Sequence, residues 1–356
     1  VYCHTILENC LGYKKIVRVG MIGCGFYAQN HLHAWTELRP LGTELVAVCD
    51  LDPEKAKAAG DKFGATWYTD VDQMLDSTTI DLLDIATQMG SHQALAAKAT
   101  ERKIASILQK PLAPTLGESM AIVDLAQKQK VWLAVHENFR FGTGMRRVKE
   151  TIGSGVIGAP NWARISFRTG YDVYAGQPYL AREKRFAILD SGIHVLDLAR
   201  FFLGEVDRIS CETQQRKVGI DGEDTATMLL RHTSGAVSVV ESTYQAKREP
   251  DVFPETMLEI EGATGSIMLS QNQTMSVTSG GVTETHSVGT PLLSWTSHPW
   301  HVSQEAVLQA NAHFLEAFRN GRDADTSGAD NLKTFALVEA AYEAAETNRS
   351  VRPEHT

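Results

Sequence analysis

Residues 17–35, VRVGMIGCGFYAQNHLHAW, restrict the possible folds more than any other stretch of the chain. Val17, Val19 and Ile22 read as a buried strand, Gly23, Gly25 and Ala28 spell GxGxxA, and helical spacing follows at once. A strand that turns into a helix through this spacing suits a pyrophosphate. Gly23 permits the tight turn, Gly25 lets the backbone approach the phosphates, and small Ala28 lets the helix lie close to the strand. The helix N-terminus adds N–H groups and the positive end of its dipole. A second strand candidate, TELVAVCD at 43–50, ends in Asp50, about 20 residues past the loop, where an acid that binds the ribose belongs. Asp50 should also repel a 2′-phosphate, and Leu51 follows it rather than a neutralising arginine, so the expected cofactor is NAD.

The pattern then alternates. The segment 52–65 reads as a helix capped by Asp52, with Pro53 in its first turn and Gly64 placed to end it. Strands are expected at 81–87, 104–109 and 131–137, and helices at 91–103, capped by Ser91, and at 116–130. Apolar strands alternating with helices predict a doubly wound parallel sheet of Rossmann type, with its ligand crevice at the strand C-termini. Lys110 and His136 fall at such ends. After about residue 140 the chain changes to segments rich in β formers, several ending at glycine turns suited to hairpins, and it closes with two helices. The fold class expected is therefore α/β, with an N-terminal Rossmann sheet and a C-terminal α/β domain built on an open, mostly antiparallel sheet. The boundaries expected are 1–13, a poorly ordered leader, 14–137, the dinucleotide domain, and 138–356, the substrate and oligomerisation domain.

Composition narrows the partners. With 34 Lys and Arg against 43 Asp and Glu, the net charge of −9 repels a phosphate backbone, so nucleic acid is not expected. No apolar run approaches the roughly 18 residues of a membrane span. The five cysteines are odd in number and scattered, with no CxxC pair, which fits reduced thiols in the cytoplasm and supports no zinc site. His31 and His33 are two apart on a helix and do not share a face, so no metal pair is expected there.

Two further motifs carry a resemblance. Gln109-Lys110-Pro111 follows a strand of the Rossmann pattern, and Asp190, His194 and Asp197 recur at helical spacing in DSGIHVLDLARFFLG. With the GxGxxA loop in front, the chain from about Lys14 onward resembles the family of glucose-fructose oxidoreductase, inositol dehydrogenase and MocA-type proteins. The resemblance implies a catalytic set of Lys110, Asp190 and His194. It implies NAD contacts from Gly23, Gly25, Phe26, Tyr27, Ala28, Asp50 and Lys110, and substrate contacts from Lys110, Asn138, Arg168, Asp190 and His194. The implied reaction is oxidation of a secondary alcohol on a sugar, cyclitol or related polyol. A homodimer or homotetramer is implied as well, because a sheet face often meets a second subunit in this family.

The chemistry of the residues agrees with that assignment. A histidine near its ordinary pKa of about 6.5 can take the hydroxyl proton, and the Lys110 ammonium can stabilise developing alkoxide charge. The 190, 194, 197 spacing lets two carboxylates share a helix face with the imidazole, one to orient the ring and one to meet substrate. Tyr171, Tyr174, Tyr179, Phe186, Lys184 and Arg185 precede that helix and offer material for a sugar pocket. Gln109 departs from the family's glutamate and removes a negative charge beside Lys110, which either tunes catalysis or marks a non-catalytic NAD- and sugar-binding homologue. A glycosidase acting by transient oxidation of the sugar is the other activity the resemblance leaves open.

Overall fold

The computed structural model describes residues 15–354, so the expected leader at 1–13 lies outside the described residues. The chain forms two compact units. One contains the residues up to His136 together with Val307–Asn331, and the other contains Glu137–Ala306 together with the residues from Leu332 onward.

In the first unit, β1 (Val17–Ile22), β2 (Thr43–Cys49), β3 (Thr66–Tyr68), β4 (Leu82–Ile85), β5 (Ala105–Gln109) and β6 (Leu133–His136) form a parallel sheet in the order β3-β2-β1-β4-β5-β6. Every residue of β4 and β5 is buried, as expected of a parallel sheet covered on both faces. The order reverses between β1 and β4, which opens a crevice at the strand C-termini. Helices α1 (Ala28–Glu37), α2 (Pro53–Phe63), α3 (Val71–Ser77), α4 (His92–Glu101) and α5 (Leu116–Gln129) connect the strands.

Local signals account for most helix ends. The Asp52 carboxylate accepts from the N–H groups of Glu54 and Lys55 to start α2, and Gly64 ends it. Thr115 accepts from the Glu118 N–H and donates to the Glu118 carboxylate, a reciprocal cap on α5. Ser91 does not cap α4. Its hydroxyl bonds the Gln88 carbonyl and the Thr87 hydroxyl, because a short 3₁₀ turn at Met89–Ser91 leads into the helix. Strand β3 and helix α3 were not expected, since three residues with little burial leave almost no periodic signal.

The second unit is built on eight strands, β7 (Pro160–Arg168), β8 (Val206–Gln214), β9 (Thr225–His232), β10 (Val237–Thr243), β11 (Met257–Gly262), β12 (Gly265–Ser270), β13 (Thr274–Ser279) and β14 (Val282–Ser287), in the order β14-β13-β12-β11-β7-β10-β9-β8. All neighbours are antiparallel except β7 and β10. Helix α6 (Thr143–Gly153) precedes the sheet, and α7 (Ile193–Leu203) packs against β7 and β10. Helix α7 is buried on almost every side, so its apolar residues run all the way round it. The other sheet face carries a row of side chains in register across five strands, Leu229, Val239, Arg164, Glu259 and Met268, of which Leu229 and Met268 are exposed.

Helices α8 (His301–Arg319) and α9 (Gly328–Thr347) close the described chain. Val307–Asn331, which takes in most of α8, the stretch between the helices and the start of α9, belongs to the first unit. There the Arg319 guanidinium donates to the Leu41 and Gly42 carbonyls, Trp132 Nε1 donates to the Arg322 carbonyl, and Thr326 exchanges hydrogen bonds with Val135 on the outer edge of β6.

Candidate active site

In the first unit the glycine loop fits the group it is expected to hold. Gly23 has φ +97°, and a Cβ there would lie 2.4 Å from the Ala86 carbonyl oxygen, so both conformation and space demand glycine. A Cβ at Gly25 would meet no described atom within 4 Å. Protein packing therefore does not explain that glycine, whereas a phosphate approaching the backbone does. Tyr27 occupies the N-cap position of α1 and makes no side-chain cap, and Phe26 beside it is largely exposed. The opening of this helix thus presents its backbone N–H end, as anion binding requires.

Asp50 follows β2. Its Oδ2 accepts the Cys24 N–H at 2.7 Å and its Oδ1 accepts the Asp52 N–H at 2.9 Å, so the carboxylate is tied to the glycine loop on one side and to the next helix on the other. The Cys24 thiol within the loop is buried, and burial, with Asp50 nearby, pushes it up to about 12, so it remains protonated and unreactive. Lys110 directly follows β5.

The second unit gathers a separate cluster around His194. Before α7 the chain makes a single π turn at Ile188–Gly192, and Asp190 lies in it. The expected helical register over Asp190, His194 and Asp197 therefore holds only from Ile193 onward. The Tyr244 hydroxyl donates to Asp190 Oδ2 at 2.7 Å. His194 is buried, and its Nδ1 pairs with the fully buried Glu137 carboxylate. Phe139 stacks on the imidazole, with ring centroids 3.8 Å apart and planes 2° from parallel. Glu137 Oε1 also accepts the Phe139 N–H at 3.4 Å.

The carboxylate at the ring is thus neither of the two expected from the helix. Asp197 faces the Arg140 guanidinium, whose Nε donates to Oδ2 at 2.7 Å and whose Nη2 pairs with Oδ1, and it accepts the Thr334 hydroxyl at 3.0 Å. Asp197 is an internal anchor. Glu137 stands 57 residues before His194, and the signal that could have found it is an acid directly after a strand end that already carries His136. Asn138, next to it, is buried, and its Nδ2 has no hydrogen-bond partner among the described residues.

Arg168 is not brought to this cluster. Along β7 the buried Phe167 faces Phe139 and Tyr244, so Arg168 lies on the opposite face, where it reaches Glu241 at 3.3 Å beside Arg164 and Ser166. The other aromatic candidates divide. Phe186 stacks on Tyr244 and Tyr174 packs against Phe186, whereas Tyr171 stacks on Phe253 at 4.1 Å with Trp300 edge-on to both, and Tyr179 is exposed. Arg185 pairs with Glu339 and lies over the Tyr342 ring. The described residues contain no group of three or more His, Cys, Asp or Glu that could hold a metal ion. None of their helices is long and apolar enough to cross a membrane.

Comparison with known proteins gives the family of the chain. The profile of an oxidoreductase family with an NAD-binding Rossmann fold matches residues 17–137, and that of the GFO/IDH/MocA C-terminal domain matches residues 145–268. The chain is 45% identical to a D-apiose dehydrogenase from Rhizobium rhizogenes over 332 residues, 93% of this chain and 96% of that protein. A D-apiose dehydrogenase from Paraburkholderia graminis is 43% identical over 95% of this chain and 90% of its own length. Among solved structures, an oxidoreductase from Agrobacterium radiobacter in complex with NAD+, L-tartaric acid and magnesium has a TM-score of 0.92 and 44% identity, covering 94% of this chain and 98% of that one.

Proposed function

From the premise that the chain belongs to the family of glucose-fructose oxidoreductase, inositol dehydrogenase and MocA-type proteins, we propose that this NAD-dependent oxidoreductase oxidises a secondary alcohol of D-apiose or a closely similar sugar. NAD, when bound, supplies the hydride acceptor. The chain supplies the rest, namely the pyrophosphate cradle at Gly23, Gly25, Phe26, Tyr27 and Ala28, the ribose carboxylate of Asp50, and the proton chemistry.

The observation that carries the proposal is the buried Glu137–His194 pair under Phe139. With Nδ1 engaged by Glu137, the ring takes the hydroxyl proton at Nε2, and Glu137 stabilises the imidazolium that forms. In this reading Lys110 donates to the same oxygen as charge develops on it, Asp190 and Asn138 bind neighbouring hydroxyls, and Tyr244 holds Asp190 in place. Arg168, committed to Glu241, is left out of the substrate set.

The test combines D-apiose, inositols and related sugars with free NAD and follows NADH. Stoichiometric NADH from D-apiose is expected, with His194→Ala, Lys110→Ala and Glu137→Gln each lowering kcat by a factor on the order of 10² while NAD still binds. Substrate turnover without net NADH would point to the transient-oxidation glycosidase. Binding of D-apiose and NAD without any turnover would point to the non-catalytic homologue.

A homo-oligomer, dimer or tetramer, is proposed as well, supported by the exposed Leu229 and Met268 on the sheet face away from α7, and light scattering with Leu229→Lys tests it. A cytoplasmic location is supported by the buried free thiols of Cys24, Cys49 and Cys211, and cell fractionation tests it.

A further inference from the structure

Gln109 closes β5 with a buried side chain. Its Oε1 accepts the Lys110 N–H at 2.7 Å. That bond fixes the orientation of the amide, because the reversed group would set donor against donor. Gln109 Nε2 is therefore a donor, and its partner is His31 Nε2 at 3.0 Å. A ring nitrogen that accepts carries no proton, so the His31 proton is on Nδ1, 2.9 Å from Asp84 Oδ2. Trp35 Nε1 donates to the same oxygen at 2.7 Å. His31 and Asp84 are both fully buried. All three links of the chain point from the Lys110 peptide toward Asp84, an order in which successive hydrogen bonds polarise one another favourably.

We infer that Asp84, His31 and Gln109 form a buried positioning relay that fixes the main chain at Lys110, and that the amide at 109 is what lets a neutral His31 serve in it. The functional part of this inference rests on Lys110 acting at the substrate oxygen. A carboxylate at 109 has no proton to give. With one oxygen on the Lys110 N–H, the other would face the His31 Nε2 lone pair, and the link would re-form only if His31 took a second proton. The remaining groups that face His31 do not supply or remove protons near neutrality. His136, with its ring centroid 4.1 Å away, is pushed down to about 3, chiefly by burial, and Tyr27 meets the ring edge-on. Burial works to raise the Asp84 carboxyl, whereas the hydrogen bonds from His31 Nδ1 and Trp35 Nε1 favour its ionised form. In the parent the amide at 109 supplies the proton of the middle link, and a carboxylate there would leave that proton to His31.

The test compares parent, Gln109→Ala, Gln109→Glu and Gln109→Glu with His31→Gln. Readouts are kcat against pH, NAD affinity, melting temperature and the ¹⁵N shifts of the His31 ring. Gln109→Ala should lower kcat on the order of tenfold at every pH with little change in NAD affinity, because misplacing a reacting group is costly even when binding survives. Gln109→Glu should be most active at acid pH and lose on the order of tenfold as His31 gives up its second proton, a limb absent from the parent and abolished by His31→Gln. The ¹⁵N shifts should show a lone Nδ1 proton in the parent and two ring protons in Gln109→Glu at acid pH. A parent pH profile in Gln109→Glu, or parent kcat in Gln109→Ala, overturns the inference. If Lys110→Ala retains full kcat, the role proposed for Lys110 fails, and the ¹⁵N shifts still decide the relay: a parent His31 protonated on Nε2 removes it.

Discussion

A carboxylate that is to read a ribose has first to be held still, and Asp50 is held by two peptide N–H groups from opposite directions. Both of its oxygens keep lone pairs for ribose hydroxyls, because a carboxylate accepts about four hydrogen bonds. Parent enzyme should therefore give a higher kcat/KM with NAD than with NADP. Asp50→Ala should lower kcat/KM for NAD by about tenfold to a hundredfold, the equivalent of about 1.5–3 kcal/mol for hydrogen bonds to a charged group, and should raise that for NADP. Steady-state kinetics with both cofactors checks this, and a parent preference for NADP would remove Asp50 from the role. At this scale the legible residues were those whose partners are close in sequence, such as the glycine loop with its acid. Glu137 was not legible, because only the folded chain brings it to His194. Gln109 was singled out as a departure, but a charge argument directed at Lys110 could not reveal a side chain whose amide turns to His31.

Two side chains three residues apart, Glu137 and Arg140, meet two others three residues apart on α7, His194 and Asp197. The segment after β6 is thereby fastened to one face of the helix at two points. The Arg140–Asp197 pair is buried, so removing one partner leaves the other charged in a site that cannot solvate it. Asp197→Ala should cost about 3–5 kcal/mol and lower the melting temperature by several degrees, as calorimetry or thermal denaturation would show. Near-parent stability would mean that the pair does not anchor the segment. Elements of strong periodicity, including all five long strands of the first sheet and the glycine hairpins of the second, were legible from residue pattern. The π turn at Ile188–Gly192 was not, since no residue type marks the extra residue, and it is this turn that separates Asp190 from the register of His194 and Asp197.

Across the molecule, burial holds several histidines neutral. Burial pushes His136 down to about 3, and it lowers His92 and His232 against the carbonyls they contact. In the unfolded chain these rings titrate near about 6.5. Below that pH the unfolded state binds more protons, so the stability they contribute is fully present above about 6.5 and is lost as pH falls, toward about 3 in the case of His136. Each adds a slope of up to about 1.4 kcal/mol per pH unit within its window. Denaturation midpoints should therefore fall between about pH 7 and pH 5, and His136→Gln, which cannot take a charge, should flatten that dependence by as much as one proton. Midpoints that do not change over this range would contradict the burial argument.

The stretch from Val307 to Asn331, which borders β6 through Thr326 and Arg322, has a consequence for how such a chain can be recombined. A nucleotide-binding half whose sheet edge is finished by residues from near the other end of the chain is not a portable cassette. Exchanging the first 136 residues for those of a relative transplants the glycine loop and Asp50, but it sets a foreign β6 against a resident Thr326 and a foreign Gly42 against a resident Arg319. The first 136 residues and the stretch from Val307 to Asn331 should therefore be moved as a pair.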